Sequence, residues 1–232
     1  MSKALGDSYR LCELAADIWT VDRAFYLFGI YFGNRMTIIR VNDRLLLHSP
    51  VAFDEELGGE VSRLGFVSAL VAPNTMHYLH VEGWKDKYSH ATLIAPASLK
   101  RITPDARFSA SEIAEWELQW KGEIRIIPVN GLPKLEEYVL LHVPSGTLIL
   151  TDLAFNIQST PNFFSKLFFK AYGAYGQFGA TRLIQSLIKD HEAFRLSMNA
   201  IMQTDFDRIV VSHGDVIECN GKAIFQKTFE HV

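Results

Sequence analysis

Cysteine is scarce in this chain: Cys12 and Cys219 are the only two in 232 residues, far apart and outside any C-x-x-C. That excludes a disulfide framework and a thiolate zinc site, and fits a reducing compartment. Positive charge is not in excess either. Lys and Arg total 23 against 26 Asp and Glu, for a formal charge of −3, with no basic stripe and no aromatic RNA-binding motif. Nucleic acid is therefore not an expected partner. No run is apolar enough to cross a bilayer, and Met1–Arg10 mixes charges without an apolar signal core, so a cytoplasmic chain is expected. G-x-S-x-G, a P-loop and the dinucleotide G-x-G-x-x-G are all missing, which removes the common nucleophile-elbow and nucleotide signatures. There is no repeat, low-complexity tract or interdomain linker. What remains is an ordinary globular composition, 48% hydrophobic and 21% charged, with a mean hydropathy of +0.07. The length suffices for a large core, and one domain over residues 1–232 is expected.

Short runs rich in β-formers fill the first third: Ile18–Val21, Tyr26–Gly29, Met36–Val41 and Arg44–Ser49. They predict a meander, with Asn42-Asp43 as a hairpin turn that lacks the usual Gly. Asp54 can cap a helix to about Arg63, feeding a strand over Phe66–Ala72; a second helix over Val81–Tyr88 leads to a strand at Ala91–Ala95. These strand-helix-strand units predict parallel pairing. Ser98–Lys121 reads as loop and helix, with Trp116 and Trp120 at helical spacing. Strands follow at Glu123–Val129, Glu137–Val143 and Thr147–Asp152, the last two joined by a tight Pro144-Ser-Gly turn. A helical, aromatic segment spans about 160–203. Asp207–Ser212 is a buried strand, and Gly221–Glu230 a final helix. β-meanders alternating with strand-helix units indicate an α/β class built as a layered sandwich.

Metal-capable side chains stand where apolar strands give out. Asp152 ends Gly146–Asp152, His213 ends Asp207–His213, and His77 and His80 follow the strand that stops near Pro73. Ligands in open α/β sheets gather at the carboxyl ends of strands, so these endings indicate one pocket.

The residues resemble a metallo-β-lactamase fold over nearly the whole chain, in particular a ligand-poor branch of that superfamily described as a domain of unknown function. The resemblance rests on Leu45-Leu-Leu-His-Ser-Pro, Leu70-Val-Ala-Pro-Asn-Thr-Met-His, Gly83-Trp, Ser145-Gly-Thr-Leu-Ile-Leu-Thr-Asp-Leu and Ile209-Val-Val-Ser-His-Gly-Asp. It implies a four-layer αββα sandwich, an α+β arrangement. Of the superfamily's H-x-H-x-D-H, Thr75 replaces the first His, His77 matches the second, Leu79 replaces the Asp and His80 matches the third. A further His, expected near Asn130–Leu135, is missing. Asp152 matches the bridging Asp and His213 the last His. The resemblance thus implies a degenerate site that lacks the dinuclear hydrolase centre.

Four candidate ligands survive: His77, His80, Asp152 and His213, with Asp152 and His213 also the candidate catalytic groups. A catalytic zinc site needs about three protein ligands and an open position, and two His with one carboxylate also suit iron or manganese. The subset expected from the resemblance is His80, Asp152 and His213. One zinc, iron or manganese ion, or none, fits this set; Leu79 argues for weak metal binding because it removes a carboxylate. With a metal, hydrolysis of an ester, amide or thioester follows naturally. Without one, the pocket binds a small molecule or a protein partner. His48, Asn74, Thr75, Leu79 and Trp84 are expected to line the pocket. Each also has a purely structural reading: Asp152 as a turn cap, His213 as a turn anchor, His77 and His80 as a helix-start pair. His142 reads as a sheet residue, and His90, His191 and His231 as surface. The amphipathic stretch Asn162–Phe178 reads as core or dimer packing, or as an aromatic lid hinged on Gly173, Gly176 and Gly179. A membrane-surface role is weakly supported because only Lys166 and Lys170 make its cationic face. Homo-oligomerisation is left open.

Overall fold

A computed structural model describes residues 11–99, 110–111, 120 and 122–230. The expectations for Met1–Arg10, Trp116 and His231, and for most of Ser98–Lys121, lie outside the described residues. The strands are β1 (Cys12–Ala15), β2 (Ile18–Arg23), β3 (Tyr26–Leu27), β4 (Ile30–Tyr31), β5 (Asn34–Val41), β6 (Arg44–His48), β7 (Phe66–Val71), β8 (Thr92–Ile94), β9 (Ala110–Ser111), β10 (Ile124–Pro128), β11 (Tyr138–His142), β12 (Thr147–Leu150), β13 (Phe155–Asn156), β14 (Phe178–Gly179) and β15 (Arg208–Val211). The helices are α1 (Glu55–Leu64), α2 (Val81–Lys87), α3 (Phe163–Ala171), α4 (Arg182–Leu187), α5 (His191–Met202) and α6 (Gly221–Phe229).

Two main sheets form, in the orders β1-β2-β5-β6-β7-β8-β9 and β10-β11-β12-β15. The period-2 alternation of strand side chains sorts neighbouring residues into different layers. Leu46 and Ile39 face the second sheet and meet Leu140, Ile149 and Val210 between the sheets. Leu45, Leu47 and Ile38 point the other way, into a core with Leu57 and Val61 of α1 and Trp84 of α2. On the far side, Leu148, Leu150 and Ile209 pack against Phe194 and Met198 of α5 and Phe225 of α6. The result is the expected helix-sheet-sheet-helix layering. A fully buried apolar side chain in such a layer stabilises by about 1.5–3 kcal/mol.

The strand-helix-strand units behave as expected: β6 pairs β7 and β7 pairs β8 in parallel, across α1 and α2. Asp54 caps α1 by accepting from the Leu57 amide at 2.8 Å. Asn42 takes the left-handed conformation, φ 54°, that the Asn42-Asp43 turn needs without a glycine. Strands β11 and β12 make the expected hairpin, and β12 pairs β15 in parallel.

Two expectations change. Tyr26–Gly29 is not a strand of the meander; Tyr26–Leu27 pairs with Ile30–Tyr31 in a separate hairpin. Its turn residues Phe28 and Gly29 both have positive φ, the conformation of a tight two-residue turn. The segment 160–203 is not continuously helical either. Phe178–Gly179 pairs with Phe155–Asn156 and separates α3 from α4. Among the described residues no helix is long and apolar enough to cross a membrane.

Candidate metal centre

Strands β12 and β15 pair in parallel, which places their carboxyl ends together, and the segment after β7 of the other sheet meets them there. His77, Asp152 and His213 bring one ligand atom each within 4.8 Å of one another. His77 Nε2 lies 3.2 Å from His213 Nε2 and 3.2 Å from Asp152 Oδ2; His213 Nε2 lies 3.4 Å from Asp152 Oδ1. All three side chains are nearly buried.

The far ring nitrogens are anchored. His213 Nδ1 sits 2.7 Å from the Gly33 carbonyl. A carbonyl only accepts, so Nδ1 carries the proton, and in the neutral ring the Nε2 lone pair points into the cluster. His77 Nδ1 lies 2.7 Å from Ser49 Oγ, which can serve either tautomer. Phe155 and Phe32 wall in the His213 ring, with centroids at 4.6 and 6.0 Å.

The loop bearing His213 needs Gly214. Its φ is +107°, and a Cβ there would lie 2.1 Å from the Asn156 carbonyl oxygen. Asn156 N donates to the His213 carbonyl at 3.0 Å, and Asp215 N donates back to Asn156 O at 2.8 Å. Arg35, buried, donates to the Val211 and Gly214 carbonyls at 2.9 and 2.8 Å and pairs with Asp22 at 2.7 Å. The guanidinium therefore clasps the loop on both sides of His213.

Asn74 joins the two other strand ends. Its Oδ1 accepts from the Met76 and His77 amides at 2.8 and 2.9 Å, an Asx-turn that sets the direction of His77. Its Nδ2 donates to Asp152 Oδ2 at 2.8 Å and reaches Thr151 Oγ1 at 3.1 Å and Glu137 Oε2 at 3.3 Å. Glu137, only 1% exposed, accepts from the Thr151, Asp152 and Leu153 amides at 2.9–3.0 Å. Burial and the neighbouring Asp152 charge push its carboxyl up to about 7, while the backbone donors pull the other way. Burial also works to raise Asp152, but the His77 charge and hydrogen bonds from His213 and His77 outweigh it and hold this carboxyl well below the usual range.

The structure does not bring every expected residue to this centre. His80 is outside the cluster: residues 74–80 are turns, and His80 stands at the N-terminus of α2, so the grouping of His80 with Asp152 and His213 gives way to His77 with that pair. Burial and the His77 charge lower the pKa of His80, which borders the cavity. Thr75 and Leu79 also border it. His48, Asn74 and Trp84 do not. His48 is fully buried at the end of β6, Asn74 lies beneath the ligands, and Trp84 is core, donating Nε1–H to the Val51 carbonyl at 2.7 Å. Both His48 ring nitrogens lack a hydrogen-bond partner, and burial, with the His77 charge, lowers its pKa to about 3. His142 is a satisfied sheet residue, paired with Ser145 Oγ at 2.8 Å. Glu137 and Arg35 carried no sequence signal that singled them out.

A cavity of about 370 Å³ opens above the cluster. Phe25, Leu27 and Phe32 wall one side, α3 contributes Phe168 and Tyr172, and α4 contributes Leu183 and Ile184.

A four-layer αββα sandwich with His and Asp side chains gathered at its strand ends defines a class of architecture, and solved structures identify it. The chain has the metallo-β-lactamase fold. It superposes on a metallo-β-lactamase from Pontibacter korlensis with a TM-score of 0.59 at 10% identity, covering 94% of this chain and 99% of that one. The metallo-β-lactamase FIM-1 from Pseudomonas aeruginosa, in a mono-zinc form, matches with a TM-score of 0.59 at 14% identity, over 96% and 95% of the two chains. A metal-soaked flavodiiron core from Synechocystis matches with a TM-score of 0.65 at 11% identity, over 96% of this chain and 60% of that one. No family model and no curated protein matches the sequence.

Proposed function

We propose that this protein carries a degenerate, single-metal site made by His77, Asp152 and His213, and that it is a hydrolase of ester, amide or thioester bonds. One observation carries the reading: the Nε2 atoms of His77 and His213 stand 3.2 Å apart, with Asp152 Oδ2 3.2 Å from the first and Asp152 Oδ1 3.4 Å from the second. Tetrahedral bonds of about 2.0–2.2 Å place ligand atoms roughly 3.3–3.5 Å apart, so the spacing fits zinc or a similar ion. The anchored Nδ1 of His213 supports it, since metal-bound imidazoles donate their other nitrogen in this way. That a fold relative is known in a mono-zinc form makes one-metal occupancy reasonable here. A bound metal would supply an acidified water as nucleophile. The chain's own contribution is orientation: Gly33 and Ser49 fix the imidazoles, Asn74 holds Oδ2 of Asp152, and the aromatic walls exclude bulk water. Thr75 and Leu79 leave no second ligand set, which is why one metal is proposed rather than two.

The same 3.2 Å contact between imidazole nitrogens supports a second reading, in which a shared proton takes the place of the cation and the protein is a metal-free binder. Plasma mass spectrometry of untagged protein separates them. About one equivalent of zinc, iron or manganese in the wild type and in His80→Ala, lost in His77→Ala and His213→Ala, is the expected result. No metal in folded wild type after supplementation would sink the hydrolase reading.

A further inference from the structure

The walls of the cavity indicate what it takes. Among the described residues, none that borders it is a lysine, an arginine or a glutamate, and its charge-bearing groups are Asp152 and three imidazoles. A carboxylate or phosphate on a ligand would find no cationic partner there except an imidazole or a metal already held by its own ligands, and it would face the Asp152 carboxylate. The walls are apolar instead: Phe25 and Phe32 on one side, Phe168 of α3, and Leu183 and Ile184 of α4. Asn34 adds a neutral polar group. It borders the cavity, and its buried Oδ1 lacks a protein partner, so it can accept from a neutral N–H or O–H and offers nothing to an anion. The wall toward solvent is apolar as well, because Leu27, Leu79 and Leu183 border the cavity while 46%, 58% and 51% exposed.

We propose that the cavity binds an uncharged ligand with an apolar chain, its carbonyl at the His77–Asp152–His213 centre and its chain along Phe168, Leu183 and Ile184 toward solvent. This deepens the hydrolase reading and rests on it for the bond broken: an acyl ester or thioester whose acyl part is a hydrocarbon. Water would add to the carbonyl carbon, the carbon–oxygen or carbon–sulfur bond would break, and the alcohol or thiol would leave with the proton. The volume of about 370 Å³ is at the lower end of small-molecule sites, roughly 300–1,000 Å³, so one chain fits rather than a polycyclic body.

The test is binding rather than turnover. N-methyl amides of alkanoic acids, with propyl to octyl chains on the carbonyl carbon, are titrated calorimetrically into the full-length protein, with and without added zinc, beside an octyl analogue ending in a carboxylate. Affinity should rise roughly fourfold per methylene until the cavity is filled, and the carboxylate should weaken it at least tenfold. Leu183→Lys should lower octyl affinity by a similar factor while metal content and melting temperature stay at wild-type values; Leu27→Lys provides the same test from another residue of the lining if the first variant folds poorly. Equal affinity for propyl and octyl, or tighter binding of the carboxylate, overturns the proposal. Chain-length-dependent binding in a protein that takes up no metal sustains it and overturns only the hydrolase reading.

Discussion

Replacing Glu137 by Gln keeps the size of the side chain but turns one of its two acceptor oxygens into a donor. Its hydrogen-bond partners donate: three backbone amides, Asn74 Nδ2 and the Thr151 hydroxyl. The new NH2 would face donors, so Glu137→Gln should cost about 1–3 kcal/mol, read by denaturant unfolding, and should weaken metal binding through the displaced Asp152. His48 makes the opposite case, because its ring is buried with no partner for either nitrogen. His48→Leu should be neutral or stabilising at pH 7. Its folded pKa of about 3 lies below the ordinary 6.5, so its contribution is present above pH 6.5 and is lost as pH falls toward 3. In metal-free protein the wild type should lose up to roughly 1.4 kcal/mol per pH unit relative to His48→Leu across that window; parallel profiles would refute it. Glu137, raised to about 7 from 4.5, acts with the reverse sign, its contribution present below 4.5 and lost as pH rises through 7. The difference between the two profiles therefore isolates His48 better than either profile alone. Asp152, His77 and His213 were legible in the sequence because each follows an apolar run. Glu137 was not: a lone Glu before Tyr138–His142 looks like the polar start of a strand until the chain brings residues 151–153 over it.

Single turns decide where the ligands point. Gly214→Ala would press a methyl group to within about 2 Å of the Asn156 carbonyl, on the 2.1 Å approach that the backbone fixes. Since the atoms it would meet, Asn156 O and C and Ile157 N, are all backbone, the loop must move. Expected are a clear drop in melting temperature and loss of metal, as in His213→Ala, even though no ligand is removed; metal retained at wild-type affinity would contradict it. The hairpin of β3 and β4 is a contrasting element. Phe28 is 97% exposed at its tip and buries almost nothing, so Phe28→Ser should leave stability within about 0.5 kcal/mol of wild type. Helix α3 lies between these cases. Asn162 caps it through the Ser165 amide at 2.8 Å, and Ser165 Oγ accepts from Tyr31 N at 2.7 Å, tying it to the hairpin. Phe169 is buried, whereas Phe163, Phe164 and Leu167 are more than half exposed. The reading of Asn162–Phe178 as an amphipathic helix caught the periodicity of α3 but not the return of Phe178 to pair with Asn156, because that pairing spans 22 residues and leaves no local pattern.

At the scale of the whole molecule the layering was legible. Alternating runs such as Leu45–Leu47 send neighbours to opposite layers, a local property that composition and order reveal. The pairing of His77 rather than His80 with Asp152 was not, since it depends on where α2 begins and on the Asx-turn at Asn74. The three ligands also arise from different halves of the sandwich. His77 follows β7 of the first sheet, whereas Asp152 and His213 follow β12 and β15 of the second. A cation held by all three would be a rivet between the sheets, absent until both have formed and met. It would then act on the rate of opening and hardly on the rate of closing, because an interaction missing from the transition state slows unfolding alone. Stopped-flow chevrons with zinc and with chelator should share a folding limb and differ in the unfolding limb. For a cell this would make the loaded form long-lived under heat or proteolysis, with persistence set by metal supply.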